Sequence, residues 1–482
     1  MLLRNKKYLL IISWKKKSKI VGLLISFTFI GLVIFYFLIN SILGQDKYRN
    51  LKSLLSNEQK LLIKKYIFPF KSIDIQTQEI NKLKNIVDLF SEYSLDLELQ
   101  FIASGNDINI SKEKQILSGD FALNKYRLLK GFYSGINNSV PGSGYIDFYD
   151  DNMFILSSRG VLAYTNNLND GEIFYQIKNN INEFIDIRQF SKISKYDNLW
   201  FSLKDLHIFK DQIFISYTEE FKKDCWNTSV IYGNIDYKDI IFKKLFSAKK
   251  CVHSIDNIDK EFNAHQSGGR IINFDKDHIL LSIGDYRSRF LAQDKKSVNG
   301  KIIKINILNS EHSIISMGHR NPQGLFFDKE NNIILETEHG PQGGDEINII
   351  DISMINKNNI PNYGWAIASA GEHYKGRIEI NKKKYEKYPL YKSHKKHGFV
   401  EPLKSFVPSI GISEVAKVER NKYVVSSMRD RSLYFFEIGD GKKIENLKRV
   451  EVFERVRDLK VYKKKIYLFL EDTASIGVIN LK

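Results

Sequence analysis

From about residue 120 onward the chain repeats one pattern, a polar turn followed at once by a short run of β-forming residues. It appears as Asp150, Asp151 and Asn152 before residues 153–156, and as Lys210, Asp211 and Gln212 before 213–215. It returns as Lys276, Asp277 and His278 before 279–281, and as Glu330, Asn331 and Asn332 before 333–335. Arg420, Asn421 and Lys422 precede 423–425, and Lys463, Lys464 and Lys465 precede 466–470. Such units, recurring at intervals of roughly 40 to 90 residues, are the trace of a β-propeller with loop insertions. The apolar runs are continuous rather than alternating, as expected when a blade is covered on both faces. An irregular β-sandwich is the competing all-β arrangement. The longest interval contains residues 362–407, where a lid or crown insertion is expected.

Upstream the periodicity changes. Residues 51–66 and 80–93 carry apolar side chains at three-to-four spacing (Leu51, Leu54, Leu55; Ile80, Leu83, Ile86, Val87), which predicts amphipathic helices interrupted near Pro69. Residues 20–39 contain no charge and are preceded by Arg4, Lys6, Lys7, Lys15, Lys16, Lys17 and Lys19 with no acid. Twenty such residues suffice to cross a bilayer, and the flanking cations place the N-terminus in the cytoplasm. A cleaved signal peptide competes, but residues 39–44 make a poor cleavage site. The expected organisation is a basic tail and uncleaved transmembrane anchor over 1–44, a helical juxtamembrane stalk over 45–119, and a propeller over 120–482.

The net charge of +17 suggests nucleic acid only superficially. Seven of those charges flank the apolar segment, and the remaining lysines scatter through turns without an aromatic-interleaved basic stripe. Two cysteines, Cys225 and Cys251, lie beyond the expected span. They suit one disulfide in an oxidising compartment; two buried free thiols are the alternative.

The candidate chemistry concentrates in residues 318–365. His319, Arg320, Asn321 and Gln323 precede one predicted strand, and a Gly-rich acidic loop follows it: Glu338, His339, Gly340, Pro341, Gly343, Gly344, Asp345 and Glu346. Earlier come Asn263, Ala264, His265, Gln266, Ser267, Gly268, Gly269 and Arg270, then Ser282, Ile283, Gly284 and Asp285; later come Arg455, Val456, Arg457 and Asp458. In this order these segments resemble the soluble quinoprotein glucose/sorbosone dehydrogenases, particularly the aldose sugar dehydrogenase branch. That family implies a six-bladed β-propeller that uses pyrroloquinoline quinone and calcium.

The resemblance implies a role for each matching residue. His265 holds the general-base position and Asp345 the carboxylate that orients it. Arg320 and Asn321 match the quinone-contacting pair, and Arg455 and Arg457 the pair that meets the cofactor carboxylates. His339 adjoins the Gly340–Pro341 turn, whose carbonyls hold calcium in the family. Arg429 stands where the family places a cofactor-binding lysine, and Asp285 and Tyr286 fall in the loop that lines the sugar pocket. Ala366 replaces a proline after the Asn-Tyr-Gly-Trp motif, and Phe406 and Val407 stand where relatives often carry tryptophan, which leaves the substrate open. The implied function is a membrane-anchored dehydrogenase of aldose sugars or related alcohols, its catalytic domain in the bacterial periplasm. A non-catalytic propeller used as a binding module is the alternative.

Overall fold

The computed structural model describes residues 28–38, 56, 58–59, 76–84, 86, 105, 107–116, 121–128, 143–169, 172–185, 203–355, 359–375, 382–439 and 441–481. The chain divides into two compact units, residues 1–93 and 94–482. The second is an all-β, propeller-like fold. Each of the polar turns found in the sequence joins the first two strands of an antiparallel sheet: Gly144–Tyr149 to Asn152–Ser157, Leu203–Phe209 to Gln212–Lys222, and Gly268–Asn273 to His278–Ile283. The same holds for Pro322–Asp328 with Ile333–Glu338, Ile412–Glu419 with Lys422–Ser427, and Val456–Tyr462 with Lys465–Leu470. Asp150, Asp151, Lys210, Asn332, Asn421, Lys463 and Lys464 take positive φ, as tight hairpin turns demand. The first strand of each sheet packs against the first strand of the next, and Val456–Tyr462 returns to Gly144–Tyr149, closing a ring.

The continuous apolar runs are explained by this packing. Successive strand residues point to opposite faces, and in Ile333–Glu338 the side chains of Ile333 and Leu335 enter one core with Ile412, Val415 and Tyr423. Ile334 enters another with Leu280, Ile302 and Tyr363 on the opposite side. Both faces of a blade are therefore interior, and each such side chain contributes about 1.5–3 kcal/mol of burial.

Ring closure uses sequence-distant strands. Ala122–Leu128 pairs with Ser475–Asn480, and also with Ile108–Ile116, which itself meets Ile173–Asn179. The strand Ile108–Ile116 lies inside the segment expected to be a helical stalk, so the β-fold starts upstream of residue 120. Helical residues 76–84 and 86 agree with part of the second expected helix. Of the first, 51–66, only residues 56, 58 and 59 are described, and the rest lies outside the described residues.

The interval expected to hold a lid is an insertion within one sheet. It separates Asp345–Asp351 from that sheet's last strand, Lys404–Phe406. Cys225 and Cys251 form a disulfide with Cα atoms 5.3 Å apart. It staples the start of strand Cys225–Asn234 to the residue preceding its short partner Val252–His253.

The expected membrane anchor is corrected. Within residues 20–39 the described helix covers 28–38, about 16 Å at 1.5 Å per residue, against a hydrocarbon core of about 30 Å. Residues 20–27 and 39 lie outside the described residues. Among the described residues no helix is long and apolar enough to cross a membrane. That finding overturns the single-pass inner-membrane placement with a periplasmic catalytic domain.

Candidate active site

Inside the ring, Arg270 joins several first strands. Its Nη1 donates to Asp205 at 2.6 Å and to Asp458 at 2.8 Å, and its Nε to the Gln323 carbonyl at 3.0 Å. Glu414 approaches the guanidinium at 2.5 Å. The carboxylates continue the lacing, since Asp458 accepts from Ile146 N–H and Asp205 from Ile271 N–H. Burial pushes the Glu414 carboxyl up to about 8 against the pull of Arg270. A single buried cation thus ties together strands contributed by residues 146 to 458.

Just beyond this knot, where the ring strands begin, lies a cavity of about 200 Å³ that opens to solvent. His265, Asn321, His339, Arg455 and Arg457 line it together. His265 sits on the short 3-10 turn Ala264–Gln266, whose preceding residue Asn263 accepts the His265 N–H at 2.8 Å. Burial, then the charges of Lys204, Arg457 and Arg287, hold its imidazole well below the usual histidine range. It is neutral at neutral pH.

Arg455 and Arg457 extend from one strand edge to the same acid. Glu471 accepts from Arg455 Nε at 3.0 Å and from Arg457 Nε at 2.5 Å. Although burial opposes it, this pairing keeps the Glu471 carboxyl below the usual range. Asp458, next in sequence, serves Arg270 instead. Asn321 Oδ1 accepts from Gly268 N–H and Gln323 Nε2. Arg320 lies behind the wall, donating to the His339 carbonyl at 2.8 Å and stacking over Trp365.

Several expected positions differ. Asp345 spends its carboxylate on the N–H groups of Gly340, Gly411 and Ile412, clamping two loops. Asp285 and Tyr286 are fully buried rather than lining a pocket. Asp285 accepts from Trp365 Nε1 at 2.7 Å and Arg287 N–H at 2.8 Å, while the Tyr286 hydroxyl meets Thr228 at 2.9 Å. Arg429 is exposed and does not line the cavity. It follows Met428, which does, and neighbouring residues leaving a strand point to opposite sides. Gly340 and Pro341 are likewise absent from the lining.

The cavity also contains Gln323 of the candidate cluster, and residues that the motifs did not single out: Tyr145, Lys204, Met428 and Glu471. Lys204 supplies a cationic group where Arg429 was expected to. Burial, reinforced by Arg457, lowers its ammonium to about 7. A Cβ at Gly269 would fall 2.2 Å from Lys204 Cβ, and Gly269 has φ +122°, so only glycine lets the lysine lie there. The usable signal was position: Lys204 opens the second hairpin unit and Glu471 ends the last apolar run.

The glucose/sorbosone dehydrogenase family profile matches residues 205–479. The chain belongs to that family. Its members are oxidoreductases. The chain is 24% identical over 273 residues to the aldose sugar dehydrogenase YliI of Escherichia coli (strain K12), covering 52% of this chain and 67% of that protein. It is 31% identical over 131 residues to the quinoprotein glucose dehydrogenase B of Acinetobacter calcoaceticus, which spans 21% of this chain and 26% of that one. The soluble aldose sugar dehydrogenase of E. coli in its apo-form superposes with a TM-score of 0.53 at 21% identity, over 70% of this chain and 95% of that one. The PQQ-bound aldose sugar dehydrogenase of Streptomyces coelicolor superposes at 0.51 with 15% identity, over 76% and 99%. These structural likenesses establish the shared fold.

Proposed function

We propose that this family member, a six-bladed propeller from strand Ile108–Ile116 to residue 480, is a pyrroloquinoline quinone-dependent dehydrogenase of aldose sugars or related alcohols. The observation that carries the reading is the convergence of a neutral histidine with Lys204, Arg455 and Arg457 in one solvent-open cavity. The donor set fits the cofactor. Three carboxylates call for several cations, and guanidinium groups bind carboxylates in charge-assisted pairs. His339 Nε2 is buried at the wall with no hydrogen-bond partner among the described residues, and a ligand oxygen or nitrogen would satisfy it.

When bound, the quinone supplies a two-electron acceptor for the hydride. The remaining work falls to the chain. His265, neutral and at the cavity wall, takes the substrate hydroxyl proton at an imidazole nitrogen. Asn321 and Arg320, the latter through the His339 carbonyl, set the wall facing the acceptor. Arg455 and Arg457 hold anionic groups in register while Glu471 keeps both guanidinium planes aimed.

Calcium fits less well. Glu471 is the only carboxylate among the lining residues, and both its oxygens are taken by arginine, so the wall alone offers a hard cation no anionic ligand. The test is reconstitution with quinone, with and without calcium, followed by dye reduction over a panel of aldoses. Turnover with at least one sugar is expected; quinone binding without turnover of any sugar or alcohol would favour a binding module.

A further inference from the structure

On one sheet face between blades the apolar pattern gives way to a cluster of buried carboxylates. On the face that carries Ile334 opposite Ile350, the next cross-strand pairs are Glu336 with Asn348 and Glu338 with Glu346. All four are buried, Glu336 and Asn348 completely. Three carboxylates therefore share this inter-blade space with two imidazoles, those of His319 and His394. Burying like charges without compensation is strongly unfavourable.

His319, Glu336 and Glu338 bring their ligand atoms within 4.8 Å of one another. His319 is fully buried, and its ring lies against Tyr363 at 4.8 Å between centroids. Its Nε2 is engaged by Ser316 Oγ at 2.8 Å, which leaves Nδ1 directed at Glu338 Oε1, 3.4 Å away, and at Glu336 Oε2, 3.7 Å away. Nδ1 has no hydrogen-bond partner among the described residues, and neither does Glu336 Oε1 nor Asn348 Oδ1. Asn348 Nδ2 donates to Glu336 at 2.9 Å and Glu338 at 3.3 Å, and Arg320 N–H donates to the other oxygen of Glu338.

We infer that His319, Glu336 and Glu338 form a structural site for a divalent transition-metal cation of the zinc type. The Ser316 hydroxyl fixes the distal ring nitrogen, as outer hydrogen-bond partners do for metal-binding histidines. One nitrogen and two carboxylate oxygens suit zinc rather than calcium, which takes oxygen alone. Tetrahedral bonds of about 2.05 Å separate ligand atoms by about 3.3 Å, close to the spacings from Nδ1. One dication with two carboxylates is neutral. Because Arg320 and Asn321 directly follow His319, the ion would also brace the cavity wall. The inference does not depend on the quinone reading.

The test uses the untagged chain, stripped with chelator and titrated with zinc alone by calorimetry. One equivalent should bind and raise the melting temperature. Glu336→Gln and His319→Gln should each weaken binding at least about 100-fold, more than is usual for loss of an outer support. Cobalt added to the stripped wild-type chain should give the visible absorption of a tetrahedral ion, a readout that needs no variant. Failure of zinc and cobalt to bind the wild-type chain would overturn the inference. So would binding unchanged in both variants, or a stability gain in Glu336→Gln without any loss of zinc affinity, the mark of a protonated glutamic acid.

Discussion

His265 and Arg457 line the same cavity but face different demands, and their substitutions should separate. Converting His265 to Ala removes the proton acceptor and leaves the cationic wall intact. Turnover should fall on the order of 100- to 10,000-fold, with quinone affinity nearly unchanged in a fluorescence titration. Arg457→Ala should weaken quinone binding by about 1.5–3 kcal/mol, the range for a hydrogen bond to a charged group. Activity should then return at high quinone in steady-state dye reduction. The pH dependence follows from the direction of the histidine shift. A depressed basic group is neutral above its folded value, so in a Lys204→Met background, where the amine that titrates at about 7 is absent, turnover should stay level from pH 8 down past the ordinary histidine value near 6.5 and fall only on further acidification. The unfolded chain binds that proton first, so the histidine's contribution to stability declines as pH drops below about 6.5. A kcat/KM profile of that variant breaking at or above 6.5 would contradict this placement of His265.

Strand pairs and their connections set how the wall is held. Gly269 permits Lys204 to cross it, and a methyl group there has no room. Gly269→Ala should destabilise the fold by about 1–3 kcal/mol through overpacking and left-handed backbone strain, and displace Lys204 from the cavity. Urea unfolding combined with quinone titration would check both effects. The disulfide acts on a neighbouring sheet, closing a separation of 26 residues. Removing it with Cys225→Ser should cost roughly 3 kcal/mol on the chain-entropy account. The urea midpoint of that variant should coincide with that of the reduced wild-type chain. The hairpins themselves were legible in the sequence because turn chemistry and β-forming runs are local. The direction of Arg429 was not, since it depends on where the strand Lys422–Ser427 ends and Met428 turns inward.

The closed ring makes distant segments interdependent. Leu123 is fully buried in a core shared with Leu468, Leu470 and Ile479, near the other end of the chain. Leu123→Ala should therefore cost about 2–5 kcal/mol globally, measured by denaturant unfolding, although it lies far upstream of the family's matched region. Arg270→Met should cost about 3–5 kcal/mol by leaving Asp205 and Asp458 without their shared cation, with Glu414 beside them. A loss below 1 kcal/mol would mean that the ring is held by its apolar faces alone.

Local order was settled by the sequence: the polar turns, the strands that follow them, the spacing of the family motifs and the pairing capacity of two cysteines all act through neighbouring residues. Even the sheet face bearing Glu336 and Glu338 is implicit in the alternation of Ile333–Glu338. Tertiary structure decided which charges meet. Glu471 bridges Arg455 and Arg457, Asp458 turns to Arg270, Asp345 clamps loops, and Asp285 disappears beneath Trp365. Each outcome depends on the register of strands far apart in sequence and on how one blade's face fits the next. The apolar run after the N-terminal lysines shows the same division. Its composition met the requirement for spanning a bilayer, but a span also needs a continuous helix of sufficient length, and no described helix reaches it.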